Sequence, residues 1–176
     1  MRPAPEPVRS GAAETPSIES RVMTDTATAP DPTDRATYWR WVQGMTRFSD
    51  TDRIGHVNNT VVPQMVEVGR VTMIDELMGD VAPVVEWVVV RLEVDYIAEL
   101  NFPSKLDIGT RVVAVGNTSY TVISGVFEGD RCIARARSVL VHAMGGRSCP
   151  PPDAAKRILL AELGREAGVD SPPAAV

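Results

Sequence analysis

The chain has 176 residues, of which 44% are hydrophobic, and this length and composition fit one domain with a sizeable core rather than two domains. Its net charge of −5 disfavours a general nucleic-acid binder, because such proteins usually carry an excess of Lys and Arg. No stretch approaches the run of about 18 apolar residues that a membrane-spanning helix needs.

The two ends of the chain differ in composition from its middle. Residues 1–36 mix proline, serine, threonine and charges of both signs, and such a segment buries too little apolar surface to offset the entropy of ordering. We therefore expect a disordered leader over 1–36, a folded domain over 37–146 and a C-terminal region over 147–176. In that last region a proline-rich turn and a short helix, Asp153–Glu166, are predicted before a flexible tail.

A strand and a long helix are predicted at the start of the domain. Bulky residues over Tyr38–Phe48 indicate the strand, and a polar loop follows over Ser49–Asn59. From Thr60 to Met78 apolar residues recur at helical spacing, which is typical of a helix with one buried face. Asn59 or Thr60 is expected to cap this helix, because both residue types accept hydrogen bonds from the free N–H groups of a first turn.

Four more strands are predicted after the helix, since the apolar positions change to a spacing of two. Turns at Gly116-Asn117 and Gly129-Asp130 separate the last three of them. The four predicted strands are Trp87–Tyr96, Lys105–Val115, Ser119–Glu128 and Arg131–His142. Together with the first strand they predict an α+β fold, in which a five-stranded antiparallel sheet, its last four strands in a meander, curls around the long helix.

The most informative segment is the loop before the helix, Asp50-Thr51-Asp52-Arg53-Ile54-Gly55-His56-Val57-Asn58-Asn59. A helix N-terminus offers unpaired backbone N–H groups and the positive end of the helix dipole, and both stabilise a developing oxyanion. A carboxylate just upstream can reach the same carbonyl group as base or nucleophile. On the residues alone, the alternative is that these Asp and Asn side chains serve only in turns and caps, positions that they favour anyway.

This loop and the Glu67-Val68-Gly69-Arg70 string on the following helix resemble the hotdog-fold thioesterases of the 4-hydroxybenzoyl-CoA thioesterase type. The order of strand, loop, helix and four strands agrees, so the resemblance covers roughly residues 38–145. It implies a hotdog fold that hydrolyses an acyl-CoA-type thioester to a free acid and a thiol, without a cofactor. The family builds its substrate cleft between two subunits, so the resemblance also implies a homodimer or a dimer of dimers.

The resemblance also implies roles for individual residues. Asp52 matches the catalytic carboxylate, acting as nucleophile or general base. Backbone N–H groups around Asn58 and Asn59 would polarise the thioester carbonyl, while His56 and Asn59 would shape the pocket and orient Asp52 or its water. Val62 stands where the family often has tyrosine, so it is expected to line the acyl pocket and leaves the class of acyl group open.

Glu67 is the rival to Asp52 as the catalytic carboxylate. A second branch of hotdog thioesterases carries its catalytic carboxylate on the central helix, about two turns in, which is near Glu67. The alternative, which we favour, is a contact between Glu67 and Arg70 at i, i+3 on the helix surface. Asp50, the other carboxylate of the loop, is expected to anchor it.

A row of arginines is the candidate for the phosphates of CoA. Arg131, Arg135 and Arg137 alternate along the last predicted strand and are expected to share one face with Ile133. Most such rows are solvated, but the planar guanidinium group also binds phosphate through paired hydrogen bonds. Arg135 and Arg137 are accordingly predicted to contact the substrate.

Neither a metal site nor a disulfide framework is expected. His56 and His142 do not cluster with cysteine, and His142 is expected at the surface, at the end of its strand. Cys132 and Cys149 lie far apart in the sequence, which favours a reducing, cytoplasmic setting.

Two other functions stay open. A hotdog enoyl-CoA hydratase also pairs an aspartate with a nearby histidine, as Asp52 and His56 do, although the Asn-Pro that separates such a pair in that family is missing here. A hotdog protein that binds an acyl thioester without catalysis, or serves as an assembly scaffold, is the alternative of a different class.

Overall fold

The computed structural model describes residues 30–165, so most of the predicted leader and the end of the C-terminal tail lie outside the described residues. The last residues of the predicted leader do lie within it, and they pack against the sheet. The Arg35 side chain forms an ion pair with Asp107 at 3.0 Å, and the Tyr38 hydroxyl donates a 2.7 Å hydrogen bond to the carbonyl of Pro32.

Residues 30–165 form six strands and two helices. In chain order these are β1 (Arg40–Met45), α1 (Val61–Met78), β2 (Trp87–Tyr96), β3 (Lys105–Val115), β4 (Ser119–Glu128), β5 (Arg131–Met144), β6 (Arg147–Ser148) and α2 (Asp153–Leu163). The first strand is shorter than predicted at both ends, and Phe48, its predicted last residue, instead begins a 3₁₀ turn, Phe48–Asp50. Neither helix is long and apolar enough to cross a membrane.

The sheet is antiparallel, with the spatial order β1-β3-β4-β5-β2 and with β6 paired to the end of β5. The predicted meander is correct for β3, β4 and β5, but β2 pairs with β5 instead of β3. The sequence pattern shows which residues share a face of a strand and carries no information on which strand lies beside it. As a result β1 and β2 form the two edges of the sheet.

The sheet curls around α1, which rests on it at very short range. A Cβ atom built on Gly69 would lie 2.7 Å from Cγ2 of Ile108 and 2.9 Å from Oγ1 of Thr110, so only glycine allows this approach between α1 and β3. Val66 and Met73, on the same face of α1, are fully buried. The predicted α+β architecture of one long helix, five long antiparallel strands and a short C-terminal helix is confirmed.

Helix α2 is attached to the edge of the sheet through Glu162. The Glu162 carboxylate accepts hydrogen bonds from Nη2 of Arg40 at 2.8 Å, from Nε of Arg40 at 3.0 Å and from Nε1 of Trp39 at 3.1 Å. Burial alone would raise the pKa of Glu162, but these hydrogen bonds outweigh it and hold the pKa below its ordinary value. The ionised carboxylate therefore joins α2 to the start of β1.

A β-bulge in β5 determines which face its arginines occupy. The register of β4 and β5 shifts between Val126 and Phe127, which leaves Ile133 as the extra residue of β5. Ile133 is buried against the N-terminal half of α1. Because the alternation shifts by one residue at the bulge, Arg135 and Arg137 lie on the opposite face, and the prediction that they share a face with Ile133 is wrong.

Candidate active site

The loop between β1 and α1 folds back on itself in a tight turn. The Asp52 N–H donates to the His56 carbonyl at 2.8 Å, and the Gly55 N–H donates to the Asp52 carbonyl at 3.1 Å. Gly55 has a φ of 94°, a conformation that side chains disfavour. The Val57 N–H donates to the Leu100 carbonyl at 2.8 Å and thereby ties the loop to the connection between β2 and β3.

Asp50 joins the two ends of this loop. Its carboxylate accepts the N–H of Arg47 at 2.8 Å, and its carbonyl accepts the N–H of Asn58 at 2.8 Å. These contacts agree with the expected anchoring role of Asp50. They also occupy the Asn58 N–H, so this amide is not free to polarise a thioester as the family resemblance implies.

Asn58, rather than Asn59 or Thr60, provides the polar side chain at the start of α1. Its Oδ1 atom accepts hydrogen bonds from the N–H of Thr60 at 2.9 Å and from the Thr60 hydroxyl at 2.7 Å. Its carbonyl accepts the N–H of Val61 at 3.0 Å. The Asn59 N–H has no hydrogen-bond partner within residues 30–165, so it remains available to an oxyanion.

Asp52 lines an open cavity of about 400 Å³ beside the start of α1, which we call the Asp52 cavity. The structure brings the predicted residues His56, Asn59 and Val62 to the same cavity. The rest of its lining is Val57, Ile133 and the five residues from Tyr96 to Leu100. A carboxylate and a helix start thus share one cavity with a largely apolar wall.

One oxygen of the Asp52 carboxylate is held by the loop. Oδ1 accepts the N–H of Ile54 at 2.8 Å, whereas Oδ2 has no hydrogen-bond partner within the described chain. The side chain is only partly buried, so water reaches it. A carboxylate oxygen of this kind can remove a proton from water or attack a carbonyl carbon directly.

His56 contacts Asp52 through the backbone and not through its ring. The imidazole Nε2 lies 3.8 Å from Oε2 of Glu99, another residue of the cavity lining, and the ring is partly exposed. The backbone hydrogen bond between the two residues still fixes the turn that presents Asp52. His56 therefore lines the Asp52 cavity, but its ring does not contact the carboxylate.

Tyr96 is a site residue that the sequence did not single out. It is the last residue of β2, and its hydroxyl donates to the carbonyl of Asn59 at 2.8 Å. The alternating pattern places Tyr96 on a strand, but it gives no signal of the loop that the strand end reaches. This contact attaches β2 to the start of α1.

Glu67 lies exposed on α1 and is not among the residues that line the Asp52 cavity. The predicted contact with Arg70 is not formed as an ion pair, although the structure describes both side chains. Instead Arg70 points into the core, where its Nη1 donates to Oγ of Ser138 at 3.3 Å. Burial lowers the pKa of Arg70, and the charge of Glu67 opposes this only in part.

The arginines of β5 are divided between two places. Arg135 and Arg137 line a different cavity, of about 290 Å³, on the opposite face of the sheet, and Arg135 forms a 2.8 Å ion pair with a carboxylate of β2. Arg131 lies beside the Asp52 cavity, because its Nη2 donates to the carbonyl of Glu99 at 3.0 Å, although the same Nη2 also forms a 2.6 Å ion pair with Glu128. Within one chain, Arg131 is therefore better placed than Arg135 or Arg137 to meet a ligand of the Asp52 cavity.

His142 is far from this site, and the expectation that it is a surface residue is wrong. It is only 1% exposed, because β5 continues past the predicted strand end and β6 folds back over it. No group of three or more His, Cys, Asp or Glu side chains within residues 30–165 is arranged to hold a metal ion.

Comparison with known proteins identifies relatives of this chain. Residues 46–159 match the family model described as the thioesterase-like superfamily. A thioesterase from Thermus thermophilus, solved in complex with coenzyme A and zinc, is 30% identical with a TM-score of 0.65, and the match covers 69% of this chain and 98% of that one. A "predicted thioesterase" from Bacillus stearothermophilus is 29% identical with a TM-score of 0.65, and the match covers 72% of this chain and 98% of that one. A thioesterase-superfamily structure from Jannaschia is 26% identical with a TM-score of 0.62, covering 73% and 85%. The comparison with curated proteins gives no match.

Proposed function

Because this chain belongs to the thioesterase-like superfamily, we propose that it hydrolyses an acyl-CoA-type thioester, with Asp52 as the catalytic carboxylate. Membership confirms the family resemblance and the hotdog fold, and it supports thioester hydrolysis in general. One observation carries the finer proposal. Asp52, with an unpaired carboxylate oxygen, and Asn59, with an unpaired N–H group, line the same cavity at the positive end of the α1 dipole.

In the proposed reaction the thioester carbonyl accepts a hydrogen bond from the Asn59 N–H. Negative charge that develops on this oxygen in the transition state is stabilised by the N–H group and by the helix dipole. Oδ2 of Asp52 either attacks the carbonyl carbon or takes a proton from the water that does so. The C–S bond then breaks, and the products are a free acid and a thiol.

The lining of the Asp52 cavity suggests how the substrate lies in it. Val62, Leu100 and Ile133 are buried and apolar, so the acyl group packs against them. Valine at position 62 provides no hydroxyl group, which favours an apolar acyl group over one that needs a hydrogen bond there. The pantetheine arm leaves through the open side, and Arg131 beside Glu99 is the cation placed to meet the phosphates of CoA.

We propose that the active form is a homodimer that pairs along β2. This edge strand exposes apolar side chains: Val88 is 50% exposed, Val90 is 59% exposed and Leu92 is 40% exposed. Proteins normally cover an edge of this kind, because its unpaired backbone groups and apolar surface invite another chain. Since Tyr96 ends β2 and lines the Asp52 cavity, a second copy paired along β2 would border the substrate.

The proposed chemistry needs no cofactor, since a carboxylate, an N–H group and water complete it. The free thiols of Cys132 and Cys149 agree with the proposed reducing, cytoplasmic setting. The hydratase alternative gains no support from the geometry, because the His56 ring faces Glu99 instead of pairing with Asp52.

The test is release of free thiol from a panel of acyl-CoAs, run with wild type, Asp52→Asn and Glu67→Gln. Wild type should turn over at least one member of the panel. Asp52→Asn keeps an oxygen that can accept the Ile54 N–H but loses the base, so kcat should fall about 10³-fold. Glu67→Gln is the matched change outside the cavity and should leave kcat within about twofold.

Two results would reject the assignment. Loss of turnover in Glu67→Gln alone would move the catalytic carboxylate to the helix. A folded wild-type dimer that releases no thiol from any chain length would favour the non-catalytic binding protein.

A further inference from the structure

A second cluster of reactive side chains lies at the opposite end of α1 from the Asp52 cavity. The cluster consists of Glu86, His142 and Cys149. Trp87, next to Glu86 in the chain, packs in the same core cluster as Met78, the last residue of α1. The helix has 18 residues and is about 27 Å long, so this cluster is separate from the candidate active site.

His142 connects the other two members. Its Nε2 lies 3.1 Å from Oε2 of Glu86, while its Nδ1 lies 3.1 Å from the carbonyl oxygen of Cys149 and 3.3 Å from the Cys149 Sγ. Both ring nitrogens therefore face an oxygen acceptor. A neutral imidazole has one N–H and satisfies only one of these acceptors, whereas the doubly protonated ring donates to both. The geometry places the His142 ring between the Glu86 carboxylate and the Cys149 thiol.

An aromatic pair packs beside the ring. Trp87 meets the His142 ring edge-on with ring centroids 5.1 Å apart, and Tyr120 meets Trp87 edge-on with ring centroids 4.8 Å apart. Glu86 and Cys149 are the titratable side chains that contact the ring within residues 30–165. Water screens charges weakly in such a buried place. Cys149 itself is only partly buried.

We propose that Cys149 is a reactive thiol, activated by His142 and Glu86, that forms mixed disulfides with low-molecular-weight disulfides. The imidazole takes the proton of the thiol, and Sγ attacks one sulfur atom of the disulfide. The S–S bond of the small molecule breaks as the new S–S bond to Cys149 forms. The departing thiolate takes the proton from the imidazolium and leaves as a thiol, so Cys149 is oxidised and one half of the disulfide is reduced.

Cys132 provides a control within the same chain. Its Sγ lies 3.6 Å from the carbonyl of Ala134, and no imidazole contacts it among the described residues. Burial raises the pKa of the Cys132 thiol, which lowers the fraction present as the reactive thiolate. The two free cysteines should therefore differ in reactivity, although both are partly buried.

The experiment labels the full-length native protein with oxidised glutathione and, separately, with iodoacetamide. Mass spectrometry of the two cysteine peptides gives each rate. Cys149 is expected to react at least about tenfold faster than Cys132 with both reagents. The Cys149 rate should be unchanged in Cys132→Ser, and the fast reaction should disappear in Cys149→Ser.

Glu86→Gln tests the activation itself, because it removes the charge that balances the imidazolium at a partly exposed position. It is expected to slow Cys149 labelling about tenfold and to shift its pH profile to higher pH, whereas Glu67→Gln should change neither. A merely structural contact would leave the pH profile in place. Equal rates at Cys149 and Cys132 in wild type, or a wild-type rate and profile in folded Glu86→Gln, would overturn the proposal.

Discussion

The hydroxyl of Tyr96, at the end of β2, donates a 2.8 Å hydrogen bond to the carbonyl oxygen of Asn59, at the start of α1. This bond holds the residue whose N–H group is the proposed oxyanion donor. We expect Tyr96→Phe to lower kcat for thioester hydrolysis about tenfold with little change in Tm, because one hydrogen bond at the site is lost while the packing of the ring remains. Steady-state kinetics with an acyl-CoA and a thermal melt measure the two effects.

Tyr38→Phe is the matched control for this variant. The Tyr38 hydroxyl also donates to a backbone carbonyl, that of Pro32 at 2.7 Å, but on the opposite face of the sheet. Its loss should leave kcat unchanged. Similar kcat values for Tyr96→Phe and wild type would show that this bond does not position the oxyanion donor.

Arg131 is expected to bind the phosphates of CoA. Arg131→Gln should raise KM for an acyl-CoA about tenfold, because a charged donor beside the Asp52 cavity is lost. KM should stay constant for the acyl thioester of N-acetylcysteamine, which has no phosphate. Arg137→Gln, on the other face of the sheet, is the control. An equal increase in KM for both thioesters would contradict a role in phosphate binding.

Pairing along β2 predicts that a charge in the strand disrupts the dimer. Val90→Glu should halve the molar mass measured by light scattering after size exclusion and should abolish thioester hydrolysis, since a buried unpaired carboxylate is costly. Val85→Glu is the control, because it introduces the same charge at a residue that lies outside the strands and is 84% exposed. It should change neither the molar mass nor the rate of thioester hydrolysis. A monomeric Val90→Glu protein with full activity would show that the site is complete in one chain.

The contacts of Glu162 predict stability that depends on pH. Because its pKa is lower in the folded than in the unfolded chain, Glu162 stabilises the fold fully above its unfolded pKa and loses this contribution as the pH falls through the folded value. Glu162→Gln should lower the free energy of unfolding by about 2 kcal/mol at neutral pH. The two free energies, measured by urea unfolding, should converge below pH 4.5, the ordinary pKa of a glutamate. A difference that persists unchanged in acid would assign the effect to packing alone.

Replacing Gly69 by alanine should change the stability in the direction opposite to the one usual for a helix interior. Glycine to alanine normally stabilises a helix interior by about 1 kcal/mol. Gly69→Ala is expected to destabilise the protein by about 2 kcal/mol instead, because the new methyl group would overlap Ile108 and Thr110 of β3. Denaturant unfolding measures this, with the exposed Gln64→Ala as control. Any increase in stability for Gly69→Ala would mean that the helix moves away from the sheet at little cost.

The sequence predicts the individual elements well because their signals are local. The spacing of apolar residues depends only on the residues of each segment. The elements α1, β2, β3 and β4 accordingly lie where this spacing predicts them. The pairing of β2 with β5 and the burial of His142 depend on residues that lie far apart in the chain. The bulge at Ile133 cannot be predicted from the sequence either, because an extra residue is defined only by the pairing of β5 with its partner strand β4.

The candidate site likewise combines residues that are close in the sequence with residues brought together only by the fold. Four of the predicted site residues lie close together in the sequence, in one loop and the following helical turn, so they can be expected to reach a common cavity. They are Asp52, His56, Asn59 and Val62. Tyr96 reaches the cavity only through the position of β2 in the sheet. Sequence reasoning also leaves open which loop amides are already paired, and the structure alone separates Asn58 from Asn59 in this respect.

The hydrogen bond from Ile54 to Oδ1 of Asp52 has a stereochemical consequence. A half-turn flip of the carboxylate only exchanges two equivalent oxygens, so this bond fixes the plane of the Asp52 carboxylate. In the proposed reaction the working oxygen is therefore always the one that does not accept the Ile54 N–H, whether it attacks the carbonyl carbon or directs a water molecule towards it. If the reaction proceeds as proposed, attack comes from the side on which the turn from Asp52 to His56 holds this oxygen, and the turn thereby selects the face of the planar thioester on which the new C–O bond forms.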